Sequence, residues 1–200
     1  EARYNFEATS WLDGAIYVGN SGTDTDRSAV QRDLRLRSTS NLPDELLSRR
    51  IDFIFADQNI NPSRLEVEEA SSLFDTAYNG TLEITAFYGG VDLNFGEFVN
   101  VNLGVRVEDG KQIVDTFSLF AANDGIETII DETDVLPSAA INWTFAENMQ
   151  LRAAFSKTIG RPQFRELAFS EFQNVETDQA FFGNPFLTNP ELFNYDLRWE

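Results

Sequence analysis

Between Pro137 and Ser156 the chain alternates apolar and polar side chains in two consecutive runs, and this pattern narrows its possible folds more than any other feature. Pro137, Ala139, Ile141, Trp143 and Phe145 interleave with Ser138, Ala140, Asn142 and Thr144. After Ala146-Glu147-Asn148 the alternation resumes, with Met149, Leu151, Ala153 and Phe155 set against Gln150, Arg152, Ala154 and Ser156. A period of two belongs to a pleated strand, whose successive side chains point to opposite faces. Two such runs separated by about three residues predict an antiparallel hairpin.

The same signature recurs along the chain. Ala2, Tyr4, Phe6 and Ala8 alternate with polar neighbours; after a turn at Thr9 to Trp11, so do Leu12, Gly14, Ile16 and Val18. The cleanest run is Val99, Val101, Leu103, Val105 and Val107 against Asn100, Asn102, Gly104, Arg106 and Glu108. Together the patterns predict strands at 2–8, 12–19, 78–95, 98–109, 135–145, 149–158 and 193–200. In the strand over 78–95 the parity changes: Phe87, Val91, Leu93 and Phe95 share one face, whereas Leu82, Ile84 and Ala86 lie on the other. A bulge near Ala86-Phe87 would produce this; the reading preferred is that the earlier half stands clear of a membrane, where face polarity is relaxed.

Connections alternate in length. Short turns fall near Ser10, Gly96 and Glu147, and long segments cover 20–77, 110–134 and 159–192. Within the first long segment, Gln31–Arg37 is a charged strand candidate. Asn41–Leu47 has a capped helix start, Ile51–Ala56 is an apolar patch of either type, and Glu66–Phe74 is a candidate short helix.

Composition removes most alternatives. The chain has no cysteine and no histidine, so disulfide, thiolate and imidazole chemistry are absent. Its formal charge of −18 argues against a nucleic-acid partner, which calls for clustered Lys and Arg. No apolar run reaches the ~18 residues of a transmembrane helix, but a membrane barrel needs only about 9–11 alternating residues per strand. Asp124, Glu127, Asp131, Glu132 and Asp134 could suggest calcium, yet their spacing is not that of an EF-hand, and solvated loop charge is the better reading. Paired carboxylates are everywhere in so acidic a chain, so no catalytic, cofactor or metal residue is assigned. The chain starts at Glu1 without an initiator methionine or signal segment and stops at Glu200 inside a strand, so it reads as a fragment.

Leu136-Pro137-Ser138, the run Asn148–Thr158, Arg161-Pro162, Gly183-Asn184-Pro185 and Asn194-Tyr195-Asp196-Leu197 together resemble the barrel of TonB-dependent outer-membrane receptors. The resemblance lies mainly over 74–200. It implies an all-β, antiparallel up-and-down transmembrane β-barrel fragment of seven membrane strands, with short periplasmic turns and long extracellular loops containing short helices. The family's complete barrel has about 22 strands around a plug. Further implications are a place in the cell outer membrane, contact with its lipid, and uptake of a siderophore, cobalamin or oligosaccharide. Energy would come from the TonB complex through a plug that this chain lacks. Asn100, Asn102, Arg106, Asn142, Arg152, Asp196 and Arg198 would face the lumen, as would Glu108, Gln150 and Asn194. Lys157, Arg161, Phe164, Arg165, Phe169 and Phe182 would lie at the outer mouth as ligand candidates. For Arg161-Pro162 the favoured role is structural, proline ending the ladder and arginine bonding nearby carboxylates. Trp11, Trp143, Tyr195 and Trp199 would form interfacial girdles. Two rivals remain: a passive porin-like barrel, and a soluble β-sandwich whose Phe169, Phe172, Phe181, Phe182 and Phe186 make a sugar platform.

Overall fold

Alternation along the chain becomes pairing in space. The computed structural model describes residues 1–30, 32, 34–39, 42–69, 76–118, 125–174, 176–177 and 179–200. In chain order the elements are β1 (Ala2–Thr9), β2 (Leu12–Val30), β3 (Leu34–Ser38), α1 (Asp44–Leu47) and α2 (Ile51–Ile54). A 3₁₀ turn at Asp57–Asn59 precedes β4 (Leu65–Glu69), β5 (Thr76–Phe95), β6 (Val99–Ser118), β7 (Ile126–Ala146) and β8 (Met149–Ile159). Next come α3 (Phe164–Leu167), β9 (Glu171–Asn174), β10 (Gln179–Phe182) and β11 (Glu191–Trp199).

Seven strands form one sheet in the order β1-β2-β5-β6-β7-β8-β11, each pair antiparallel. Every strand of the sheet neighbours the next in sequence, which is up-and-down topology. The sheet does not close: β1 and β11 are its two edges. Among the described residues no helix is long and apolar enough to cross a membrane, which says nothing about crossing by strands. The turn between β5 and β6 runs through Gly96, whose φ of 62° lies in the left-handed region that glycine enters without steric cost.

Several strands outrun their sequence signal. β2 continues to Val30, β6 to Ser118, and β7 begins at Ile126, so most of 110–134 is strand rather than loop. The β6–β7 register is unbroken from Val99↔Trp143 to Thr116↔Ile126. Backbone pairing continues there while the polarity contrast between faces fades, and only that contrast is visible to a period-two reading. Likewise β5 pairs without interruption with β2 and β6 through Ala86 and Phe87, so its parity change is not a bulge. The cause is burial: above Ala86 the face carrying Tyr78 and Leu82 is covered by α3.

The short helix expected over Glu66–Phe74 is a strand over Leu65–Glu69; residues 70–74 lie outside the described residues. β4 pairs with β3, setting Val67 opposite Leu36, Glu68 opposite Arg35 and Glu66 opposite Arg37. Cross-strand apolar and opposite-charge pairs of this kind favour a hairpin over an isolated helical turn. The charged strand expected over Gln31–Arg37 is Leu34–Ser38, with 31 and 33 outside the described residues. Asn41, expected to cap a helix, also lies outside them; α1 starts at Asp44 with Pro43 before it and no side-chain cap. The apolar patch at Ile51 is helical as α2.

Two faces result. The inner face, defined as the one α3 packs on, carries even-numbered residues of β5, β6, β7, β8 and β11 and odd-numbered residues of β1 and β2. On the outer face an apolar band runs between the level of Phe95, Val99, Trp143, Leu151 and Trp199 and the level of Phe87, Val107 and Val135. Above that band the outer face turns polar, with Asp24, Glu83, Lys111, Asp115, Glu127 and Asp131. Trp11, Trp143 and Trp199 sit at the short-turn end of the band, Trp11 beside Phe95 with ring centroids 6.3 Å apart. Tyr195 departs from the expected girdle. It pairs with Phe155, in turn opposite Ala139 and Leu103, and so lies at mid-height.

Candidate functional site

Register alone brings together Asn100, Asn102, Arg106, Asn142, Arg152, Asp196 and Arg198: all seven lie on the inner face. Several of their side chains join others in hydrogen-bonded chains, some across strands and some along one strand. Arg3 donates to Asp92 at 2.8 Å, and Asn102 donates to the same carboxylate at 2.6 Å. Asn100 donates to Asn94 at 2.6 Å, and Asn94 to Asp13 at 2.8 Å. Near the sheet's lateral edge, Arg198 pairs with Asp196 at 3.2 Å and Arg152 approaches Glu200 at 3.8 Å. The wall is thus polar, with much of its hydrogen bonding met within itself.

Higher on this face the chain after β8 folds back over the sheet. Phe164, Leu167 and Ala168 pack against Tyr78, Val114 and Ile130, with Ala29, Leu82 and Phe172 around them. The Phe164 ring lies over Gly80, where a Cβ would come within 2.5 Å of it, so only glycine leaves room. α3 is short but well started: Gln163 and Glu166 form a reciprocal capping box, with the Gln163 N–H donating to the Glu166 carboxylate at 2.8 Å. Two polar contacts latch this strap to the wall. Arg161 donates to Glu108 at 2.7 Å, and Gln112 donates to the Pro162 carbonyl at 2.9 Å. Glu108 accepts from Arg106 as well, so one carboxylate holds two guanidinium groups. Arg106 also lies 5.9 Å from the Tyr88 ring centroid.

Beyond α3, Gly183 and Asn184 tie the β9–β10 hairpin to the helix. A Cβ at Gly183 would lie 1.8 Å from the Ala168 carbonyl oxygen, and the Asn184 N–H donates to the Glu166 carbonyl at 2.6 Å. The Asn184 side chain accepts from the Phe186 N–H at 3.0 Å, closing a local turn. Between helix and hairpin is a recess of about 510 Å³ lined by Arg165, Phe172, Phe181, Phe182, Asn184 and Leu187 among others.

The six ligand candidates therefore separate. Arg165 and Phe182 line the recess. Phe164 does not reach a ligand surface; it is buried in the core beneath the strap. Arg161 is engaged by Glu108. Phe169 is half exposed and outside the recess residues. Lys157 is on the outer face, 2.6 Å from Glu191 and near the Phe193 ring, because Ser156 beside it points inward. Alternation through β8 could have shown this last point, whereas the strap's inward fold left no periodic signal. The role of Gln112 is invisible for the same reason, since it exists only across the contact between strap and wall; that of Gly183 exists only within the strap, where it packs on Ala168.

Of the carboxylates considered for calcium, Asp124 lies outside the described residues. Glu132 and Asp134 belong to the inner face and Glu127 and Asp131 to the outer one, so the strand divides them. Among the described residues no group of three potential metal ligands comes together.

Comparison with known proteins agrees with this architecture. Among solved structures, the siderophore receptor PiuA from Acinetobacter baumannii superposes with a TM-score of 0.53 at 12% sequence identity. The match covers 98% of this chain and 27% of that one, so the chain spans about a quarter of that receptor's length. Curated proteins yielded no match. The family model of the TonB dependent receptor-like β-barrel matches residues 1–200, and over its whole length the chain belongs to that family.

Proposed function

We propose that the chain is part of the barrel of an outer-membrane receptor that takes up a scarce small ligand with energy delivered through TonB. The observation that carries this reading is the two-faced sheet. Its outer apolar band, for example Val99–Val107, is about nine residues tall, within the ~9–11 that a tilted membrane strand needs. The inner face of the same strand carries Asn100, Asn102, Arg106 and Glu108. In this reading the outer band meets lipid, the inner face is the lumen wall, the turns at Ser10, Gly96 and Glu147 are periplasmic, and the strap lies toward the extracellular mouth. The siderophore receptor among the structural neighbours favours a metal chelate over cobalamin or an oligosaccharide. The chain's own role is to wall the path and present the strap, with no catalytic step.

Cells carrying the complete receptor are expected to accumulate a ferric chelate only while TonB is functional. Equal accumulation without TonB would assign the protein to passive porin-like barrels. Purification as a monodisperse protein without detergent would assign it to soluble binding modules.

The lipid-facing assignment has its own test. Leu103→Arg, at the middle of the outer band, is expected to destabilise the folded receptor by about 2–4 kcal/mol. Ile113→Arg, also outward but above the band, should cost about 0–1 kcal/mol. Chemical denaturation in lipid vesicles compares the two; equal costs at both positions would remove the membrane from this face.

A further inference from the structure

We propose that the recess between α3 and the β9–β10 hairpin binds an aromatic carboxylate. The proposal rests on the receptor reading above and names the chemical class its ligand presents to this chain. Three observations converge. First, the recess is built rather than improvised: Phe164 and Leu167 anchor α3 in the core, Gly183 packs against the Ala168 carbonyl, and the Asn184 N–H donates to the Glu166 carbonyl of that helix. Its volume of about 510 Å³ falls within the ~300–1,000 Å³ of small-molecule pockets.

Second, its apolar surface is aromatic. Phe172 stands opposite Phe181 across the hairpin, and Phe181 and Phe182 each remain 53% exposed. Benzene rings presented in this way accept another flat ring face-on or edge-on better than they accept a saturated one.

Third, Arg165 is the one cationic side chain among the residues lining the recess. The Glu166 carboxylate accepts from the helix start, and the Asn184 side-chain oxygen accepts from the Phe186 N–H. Arg165 is exposed, and no carboxylate among the described residues pairs with it in the way that Glu108 pairs with Arg161. A guanidinium offers a planar fork of donors that matches a carboxylate in two parallel bonds. A neutral sugar would instead ask for several free carboxylates or carboxamides around its hydroxyls. In a chain of net charge −18, Arg165 supplies the positive charge that draws an anion to this point.

The test uses the complete receptor in detergent and three probes of similar shape: 2-naphthoate, its saturated counterpart decahydro-2-naphthoate, and the uncharged 2-naphthalenemethanol. Calorimetric titration is expected to show 2-naphthoate binding tightest. Arg165→Gln should weaken it roughly ten- to hundredfold, the worth of a charge-assisted bond, and bring it level with the alcohol. Phe181→Ala should erase the preference over the saturated acid. Both side chains are exposed, so neither change threatens folding, and an unchanged denaturation midpoint of the variants confirms a folded receptor. Equal binding of 2-naphthoate and the alcohol, or unchanged affinity in Arg165→Gln, overturns the proposal. Binding of maltotriose in place of 2-naphthoate overturns it in favour of a glycan site. These outcomes leave TonB-dependent uptake standing; loss of energy dependence in the unaltered receptor is a separate result and strikes the receptor reading itself.

Discussion

Replacing Leu167 by alanine is expected to destabilise the folded receptor by about 2–5 kcal/mol, and Phe164→Ala by about 3–5 kcal/mol. Leu167 is fully buried, and Phe164 is 8% exposed with its ring on Gly80. The wall beneath cannot close the resulting gap, because β5 is held in register on both sides by β2 and β6. A cavity therefore persists and adds to the lost transfer energy. The strap should loosen before the sheet does, since its own backbone pairing with the main sheet is small. Limited proteolysis within 160–190 and chemical denaturation measure the two effects. Phe169→Ala, at a half-exposed position, serves as the comparison and should stay within about 0.5 kcal/mol. If Leu167→Ala left both protease resistance and the denaturation midpoint unchanged, the strap would not be packed as described.

An asymmetry is expected at the latch. The Glu108 side chain is 10% exposed and that of Arg161 19%, so both are well removed from water. Glu108→Ala removes the one carboxylate that both Arg106 and Arg161 bond, and should cost about 3–5 kcal/mol. Arg161→Ala leaves Glu108 with Arg106 and should cost less, about 1–3 kcal/mol. Denaturation of the two variants and of the double variant separates the pair's coupling from the penalty of an orphaned charge. A larger loss for Arg161→Ala than for Glu108→Ala would contradict the shared-carboxylate geometry. Both changes should also raise protease sensitivity near Pro162, because the Gln112 contact to the Pro162 carbonyl does not hold the strap alone.

Function enters through the contrast between those two regions. Below the strap, the inner wall satisfies itself through chains such as Asp13–Asn94–Asn100. At the strap, aromatic faces and an unpaired guanidinium are offered to something else. The proposed uptake role has use for both surfaces.

The seven sheet strands were legible because each has one face toward an apolar surrounding and one toward a polar one. Val99–Val107 shows this without exception, and from that run the inner positions of Asn100, Asn102 and Arg106 follow by parity. Legibility failed where the contrast was lost or reversed. Residues 109–118 keep their backbone pairing while both faces become mixed, so the period-two signal ends at Asp109. At Leu82 and Tyr78 the apolar side changes faces because α3 covers it, a burial made by residues more than 80 positions away. The short β4 showed Leu65, Val67 and their glutamates in alternation, but its partner β3 was needed to turn that pattern from helix to strand.

The sequence by itself determined the antiparallel hairpins, the two-faced sheet and the alternation of short and long connections, because period-two patterning and turn residues are local and act between chain neighbours. Only the tertiary structure decided that the segment after β8 folds inward instead of reaching out. The same contact decided that Phe164 is core, that Glu108 holds Arg161, and that Arg165 stands over an aromatic recess. Those outcomes depend on which distant surfaces meet, and contact energies between residues such as Leu167 and Val114 leave no period in the chain that makes them.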